Sequence, residues 1–290
     1  MAKKALKPYL FLLPTFAFLA VFTYYPIFRA IFISFFEWST SYPEKVFNGI
    51  NNYLHLVQTP LFWKVLKNTF MYSISTILVG MSLALIFAML VNKKIKFASV
   101  YKVSLFYPTM IPMAAAALIW MWIFTTQYGL LDFYLGKLGL VDTEWLNNEK
   151  IVLWCIVTVG VWKHVGYYMI LFLASLQNIP QSLWDAAEVE GAGRWQRFYL
   201  ITFPMISSYT FYIFIINIMD SLQAIDQVYI MTQGGPANAS NLLVYYIYQH
   251  AFRFWNMGLG ATLTSILIAF LFVFVLLIFR TVGRKVYYEV

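Results

Sequence analysis

The sequence predicts an all-α membrane protein with six transmembrane helices. Composition is the first reason: of 290 residues, 61% are hydrophobic and 11% charged, and the mean hydropathy is +0.70. A soluble domain carries about 25% charged residues, so this chain is too apolar for a water-facing surface. The second reason is the run pattern. Residues 9–36, 69–91, 104–126, 151–176, 205–230 and 260–279 are each apolar over the roughly 20 residues that a bilayer crossing needs. The third is charge, since lysine and arginine crowd into alternate connections between those runs.

The first span is overlong and contains Pro14 and Pro26, so a kink or an interfacial end is expected. Tyr24 and Tyr25 suit an interface belt, and Arg29 lies near the outer end, where it can snorkel. The basic N-terminus (Lys3, Lys4, Lys7) precedes an apolar run too long for a cleaved leader, so the run reads as an uncleaved span. Spans two and three are separated by a short basic loop. Tyr107-Pro108 and Ile111-Pro112 stand at the opening of span three. Cys155 is the one cysteine and lies in span four, so no disulfide forms within the chain. No soluble domain, linker, low-complexity tract or repeat interrupts the pattern, and a single domain over 1–290 is the economical reading.

Lys3, Lys4, Lys7, Lys93, Lys94, Lys96, Lys102, Arg194, Arg197, Arg280, Arg284 and Lys285 all fall on one side of the six-span arrangement. Lys45, Lys64, Lys67, Lys137, Lys150 and Arg253 fall on the other, spread over longer loops. The positive-inside rule places both termini and the 177–204 loop in the cytoplasm. The net charge of +8 thus follows topology and does not imply nucleic acid. Loops 37–68, 127–150 and 231–259 are external. The last contains Gly234-Gly235-Pro236, a strong turn signal.

Ionisable residues deep in a span are costly and face a partner or water. Lys163 and His164 lie in span four and Asp220 in span five. At 1.5 Å per residue, Lys163 and Asp220 are each about 20 Å from the cytoplasmic end of their spans. Two readings stand side by side. In one, Lys163 and Asp220 form a neutralised pair tying the two spans. In the other, Lys163, Asn217, Asp220, Ser221, Gln223, Thr262, Thr264 and Ser265 line a polar path for a solute. His164 reads as a packed, hydrogen-bonded ring.

No Gly-x-x-x-x-Gly-Lys-Ser/Thr, His-Glu-x-x-His or Gly-x-Ser-x-Gly occurs, and His55, His164 and His250 are scattered. The chain itself has no visible basis for binding ATP by a phosphate loop, for metal or for nucleophile chemistry, so it is not read as an enzyme.

The 177–204 loop is a polar island between spans four and five. Ser182-x-x-Asp185 looks like a capping-box helix start, and Gly191 and Gly193 look like its stop. Asp185-Ala186-Ala187-x-x-Glu190-Gly191-Ala192, followed by Phe198, Ile201 and Pro204, closely resembles the EAA loop of binding-protein-dependent ABC importer permeases. Asp185 replaces the usual Glu, Glu190 the usual Asp before Gly, and Phe203 the usual Leu before Pro. The Gly234-Gly235-Pro236 segment with Tyr245, Tyr248, Phe252 and Gly258 resembles the sugar-type permeases, a class with maltose, multiple-sugar and glycerol-3-phosphate members. So do Leu13-Pro14 with Tyr25-Pro26, the stretch Phe47 to Tyr53, and Asn68-Thr69. The run from Arg280 to Tyr288 is similar to the end of glycerol-3-phosphate permeases.

The resemblance covers essentially the whole chain and implies a type I importer permease fold in a bacterial inner membrane. It makes the loop a coupling helix that docks into an ATPase subunit, with Asp185, Ala186, Ala187, Glu188, Glu190, Gly191 and Ala192 as its residues. It also implies a second homologous permease, two cytoplasmic ATPases that carry ATP and Mg, and an external solute-binding protein. The cargo it implies is a carbohydrate or related solute, and this chain itself binds no cofactor. An ion-driven secondary transporter is the alternative, but inverted repeats and broken helices are not evident in the sequence. An intramembrane enzyme lacks a catalytic constellation.

Overall fold

A computed structural model describes residues 2–40, 42–93, 96–139 and 144–281, without the side chains of 2–10, 42, 43 and 281. Lys94, Arg284, Lys285 and the C-terminal run beyond residue 281 lie outside the described residues, as do the side chains of Lys3, Lys4 and Lys7.

Span one is α1 (Ala2–Leu19), a π turn (Ala20–Tyr24) and α2 (Tyr25–Ile33). The π turn ends just before Tyr25-Pro26. Proline has no N–H and its ring crowds the carbonyl four residues back, and a widened turn accommodates both defects. The same device recurs before Phe203-Pro204 at Phe198–Thr202. The connection after span one holds a hairpin of β1 (Phe36–Ser39) and β2 (Tyr42–Phe47), then α3 (Asn51–Gln58). The strands are antiparallel with Phe36 opposite Phe47, and a bulge falls between Glu37 and Ser39.

Span two, α4 (Pro60–Val91), begins nine residues earlier than the apolar run. Pro60 stands at its first position, where the missing N–H costs nothing. Hydropathy misses the first turns because Lys64, Lys67 and Asn68 interleave with the buried Phe62 and Val65. Span three is two helices, α5 (Ala98–Met110) and α6 (Met113–Ile123), bent by 102°. Ile111 and Pro112 are both extended (ψ 131° and 137°), as expected of a proline and the residue before it.

After α7 (Leu130–Gly136), span four is α8 (Val152–Gln177). The 177–204 island contains α9 (Gln181–Val189), α10 (Arg194–Arg197), the second π turn and α11 (Phe203–Met205). Span five is α12 (Ser207–Leu222) with α13 (Asp226–Met231). The connection between spans five and six contains α14 (Leu243–Tyr248) and a π turn (Gln249–Arg253), and span six is α15 (Met257–Thr281). Among the described residues, five helices are long and apolar enough to cross a membrane, or six if the bent pair counts as one span.

The chain divides into two compact units, residues 1–62 with 246–275 and residues 63–245 with 276–290. In the first unit, the buried Asn52 side chain donates to the carbonyls of Ser34 (2.9 Å) and Phe36 (3.0 Å), tying α3 to the end of span one. Thr262 of span six donates to the Ser34 carbonyl as well (3.2 Å).

The second unit is organised on α8, whose apolar stretch is 67% buried. Its apolar side packs against Ala84, Ala88 and Val91 of α4 and Ile206 and Ile213 around the start of α12. In lipid, association depends on close packing more than on expulsion of water, so small residues mark the contacts. A Cβ on Gly166 would collide with the backbone of Leu105, and one on Gly160 with the Tyr72 hydroxyl. These two glycines let α5 and α4 approach α8.

Candidate functional site: an intramembrane cavity and an exposed coupling loop

The second unit contains an open cavity of about 160 Å³. Its wall is built by Tyr72, Thr76 and Gly80 of α4, Met113 of α6, and Gly160, Val161, Lys163, His164 and Tyr168 of α8. Asn217, Asp220 and Ser221 of α12, residues Gln223 to Ile225, and Asp226 and Gln227 of α13 complete it.

Of the sequence's path residues, Lys163, Asn217, Asp220, Ser221 and Gln223 lie on this wall. Thr264 does not. Its hydroxyl donates to the Gly260 carbonyl one turn back in its own helix, at 2.8 Å. Thr262 and Ser265 likewise bond to backbone within the first unit.

The Lys163–Asp220 pair does not form. The Lys163 ammonium donates to the carbonyls of Pro108 (2.9 Å), Thr109 (2.8 Å) and Ile111. The Pro108 carbonyl also accepts from the Ile111 N–H (3.2 Å), while those of Thr109 and Ile111 fall where α5 ends at the bend and the helical ladder stops. A cation at a helix C-terminus also meets the negative end of its dipole. Asp220 is held instead by Tyr168, whose hydroxyl donates to Oδ2 at 2.9 Å. Equal depth puts the two charges at one level and on one wall, but each is held by a different partner.

The remaining polar wall is partly satisfied. Gln227 donates to the Tyr72 hydroxyl at 2.8 Å. His164 Nδ1 lies 3.0 Å from the Gly160 carbonyl, so that nitrogen carries the proton, and the ring stacks on Tyr168. Asn217 is 3% exposed, and its Nδ2 has no partner. A buried amide N–H left unpaired costs about 1–3 kcal/mol, so such a group marks a place where a solute or water completes the structure. Tyr72, Thr76, Tyr168, Asp226 and Gln227 were not singled out by the sequence. Asp226, an acid six residues after Asp220, is the one with a usable signal.

In the 177–204 island, α9 starts at Gln181 after Pro180, one residue before Ser182. The capping box is not formed. Proline supplies the turn into the helix, Ser182 is already helical, and Asp185 accepts from the Gln181 side chain (3.0 Å). The helix stop is a Schellman motif: Gly191 N–H donates to Glu188 (3.1 Å) and Ala192 N–H to Ala187 (2.9 Å), with Gly191 at φ +68°. Gly193 has a different role from a stop. It is extended and caps α10, its N–H donating to Gln196 Oε1 (2.8 Å). Arg197 Nε closes the turn on the Ala192 carbonyl (2.9 Å).

Asp185, Ala186, Glu188, Glu190 and Gly191 are exposed. Ala187 is buried against its own chain, so Ala186 alone of the two alanines is open to a partner. Val189 is 90% exposed, an apolar side chain at the tip of a charged helix.

Spanning helices around a polar cavity, joined by a projecting short helix, define a membrane transport component. Residues 6–286 match the family described as binding-protein-dependent transport system inner membrane component, and the chain belongs to that family. It is 32% identical to the sulfoquinovosyl glycerol transport system permease protein SmoG of Agrobacterium fabrum, over 90% of this chain and 85% of that one. It is 32% identical to the arabinooligosaccharides transport system permease protein AraP of Bacillus subtilis, over 97% and 90%. Its fold matches a chain of a bacterial alginate ABC transporter solved in complex with alginate pentasaccharide-bound periplasmic protein. That match has a TM-score of 0.85 and 20% identity over 99% of this chain and 98% of the other.

Proposed function

We propose that this chain is the transmembrane subunit of an ATP-driven importer that carries a carbohydrate or related polyhydroxylated solute across a bacterial inner membrane. The observation that carries the reading is the cavity among the spans, walled by Asn217 and the Tyr168-bound Asp220, with the Asn217 Nδ2 buried and unpartnered. A sugar hydroxyl both donates and accepts, so one solute can serve the amide and the carboxylate together. The names of the relatives point to the same class of cargo.

The partners follow from the surfaces. None of the residues from Phe11 to Ile33 is buried within this chain, which fits a second, homologous permease or lipid against span one. The exposed acids and Val189 of α9 fit a cleft on each of two cytoplasmic ATPase subunits, which would hold ATP and Mg. An external solute-binding protein would deliver the cargo to the 231–259 side, and both termini would be cytoplasmic. ATP-driven closure of the ATPases would carry α9 as a rigid body and switch the cavity from one side to the other.

The ion-driven alternative gains one feature, because span three is broken at Ile111-Pro112. Family membership favours the importer. Reconstitution with the second permease, ATPases and binding protein tests the choice. Uptake of a radiolabelled neutral oligosaccharide should require ATP and persist with ion gradients collapsed. Uptake that follows the gradient and ignores ATP would overturn the reading.

A further inference from the structure

The charges on the cavity wall are not balanced in their reach. Asp220 and Asp226 both contribute carboxylates to it. Among the described residues on the wall, Lys163 is the one lysine or arginine, and its three ammonium protons are taken by the carbonyls of Pro108, Thr109 and Ile111. It therefore has no proton left to donate to an anionic ligand. His164 has its Nδ1 proton committed to the Gly160 carbonyl. Asp220 receives one hydrogen bond, from Tyr168, and a carboxylate has room for several more. Against these acceptors stand the Asn217 amide, 3% exposed and unpartnered, and the Tyr72 hydroxyl, which accepts from Gln227 and keeps its own proton to donate.

We propose that this cavity selects its cargo by charge, through the Asp220 carboxylate: it admits neutral and amino-bearing carbohydrates and rejects those bearing carboxylate, phosphate or sulfonate groups. The proposal rests on the carbohydrate reading above and refines it. An anionic group brought beside Asp220 meets like charge and finds no lysine or arginine with a proton to spare. A hydroxyl or ammonium in the same place donates to the carboxylate, while a ring oxygen accepts from Asn217.

The test uses the whole permease–ATPase complex in lipid nanodiscs, without binding protein, so that the cavity alone is read. Maltotriose, cellotriose, raffinose and arabinotriose are screened by equilibrium binding. The tightest is then compared with two derivatives, its terminal primary hydroxyl replaced by an amine or oxidised to a carboxylate. The amine derivative should bind at least as well as the parent and the carboxylate about tenfold more weakly or worse, a difference of ~1.4 kcal/mol or more. Asp220→Asn should abolish that difference, and Asp220→Glu, which restores the charge, should restore it.

Equal binding of the amine and carboxylate derivatives by the unmodified complex overturns the proposal and leaves the carbohydrate reading standing. That comparison depends on no variant folding. Loss of the difference in both Asp220→Asn and Asp220→Glu assigns the effect to shape and also overturns it. Binding of none of the saccharides removes the carbohydrate reading and the proposal together.

Discussion

The Lys163 ammonium donates to the Thr109 carbonyl at 2.8 Å, joining the middle of span four to the break in span three. The same pair of residues meets a second time, since the Thr109 hydroxyl donates to the Lys163 carbonyl at 3.1 Å. With Pro108 and Ile111 also bound, the lysine replaces the next helical turn that Pro112 forbids. A cost of breaking a helix inside a membrane is thereby met by one side chain from the neighbouring helix.

Lys163→Met should therefore destabilise the protein far more than loss of one surface charge. It leaves the Thr109 and Ile111 carbonyls at the bend without that donor, each worth about 1–3 kcal/mol when buried. A lower melting temperature of the purified permease and reduced membrane abundance are expected. The double exchange Lys163→Asp with Asp220→Lys should recover nothing, because the two side chains do not pair. Recovery of uptake in the exchanged protein would show that an ion pair forms in some working state and would defeat this account.

Gly166 offers a test of packing in the same unit. A Cβ there meets the backbone of Leu105 and lies 2.8 Å from Phe106 Cα, and backbone cannot rotate aside. Gly166→Ala should cost about 1–3 kcal/mol by forcing α5 from α8. Gly136 of α7 has nothing within 4 Å of an added Cβ, so Gly136→Ala should be neutral or slightly stabilising. Thermal unfolding of both variants in detergent decides; equal melting temperatures would show that the α5–α8 contact yields easily.

What the sequence reveals here depends on the kind of signal each feature leaves. Six spans were legible because a bilayer demands length and apolarity, both of which composition records. Asn217, Asp220, Ser221 and Gln223 were legible because polar residues inside an apolar run stand out. The partner of Lys163 was not, since backbone carbonyls have no letter of their own. A Lys–Asp pair is the reading that side chains alone invite.

The break at Ile111-Pro112 escaped because hydropathy is blind to φ and ψ, although the proline pair stood in view. Tyr72 is one of 21 tyrosines, and only its contact with Gln227 across the unit distinguishes it. Thr264 is not on the cavity wall. Its depth matched Asp220, but a threonine in a helix can satisfy itself on the carbonyl four residues back.

The turn at Gly234-Gly235-Pro236 leads to a topology test. Lys64 donates to the Ala237 carbonyl at 2.7 Å and Asn68 to those of Asn238 and Asn241, so the loop is fastened to the start of α4. Ala237 is exposed, whereas Ala239 is buried. Ala237→Cys should react with an impermeant maleimide added outside intact spheroplasts, and Ala239→Cys should react only after denaturation. The native Cys155 is buried and gives little background. Labelling of Ala237→Cys solely from the cytoplasmic face would invert the topology drawn from the lysines and arginines.

Gly191 carries the last prediction, because its φ of +68° is the left-handed conformation that ends α9. An added Cβ there meets nothing within 4 Å, so any effect of a side chain is on the backbone and not on packing. A β-branched residue in that conformation is strained by about 1–3 kcal/mol. Gly191→Val should undo the paired bonds from Gly191 and Ala192 to Glu188 and Ala187, and so alter how Asp185, Glu188 and Val189 are presented. Asparagine tolerates the left-handed region, and Gly191→Asn should behave almost as the parent. In the reconstituted importer, Gly191→Val should insert at normal abundance but hold the ATPase weakly, or hydrolyse ATP without moving solute. Loss of the protein itself in Gly191→Val would reduce the loop to a folding requirement. Normal abundance, normal ATPase capture and normal uptake together would mean that the shape of this turn does not couple hydrolysis to transport.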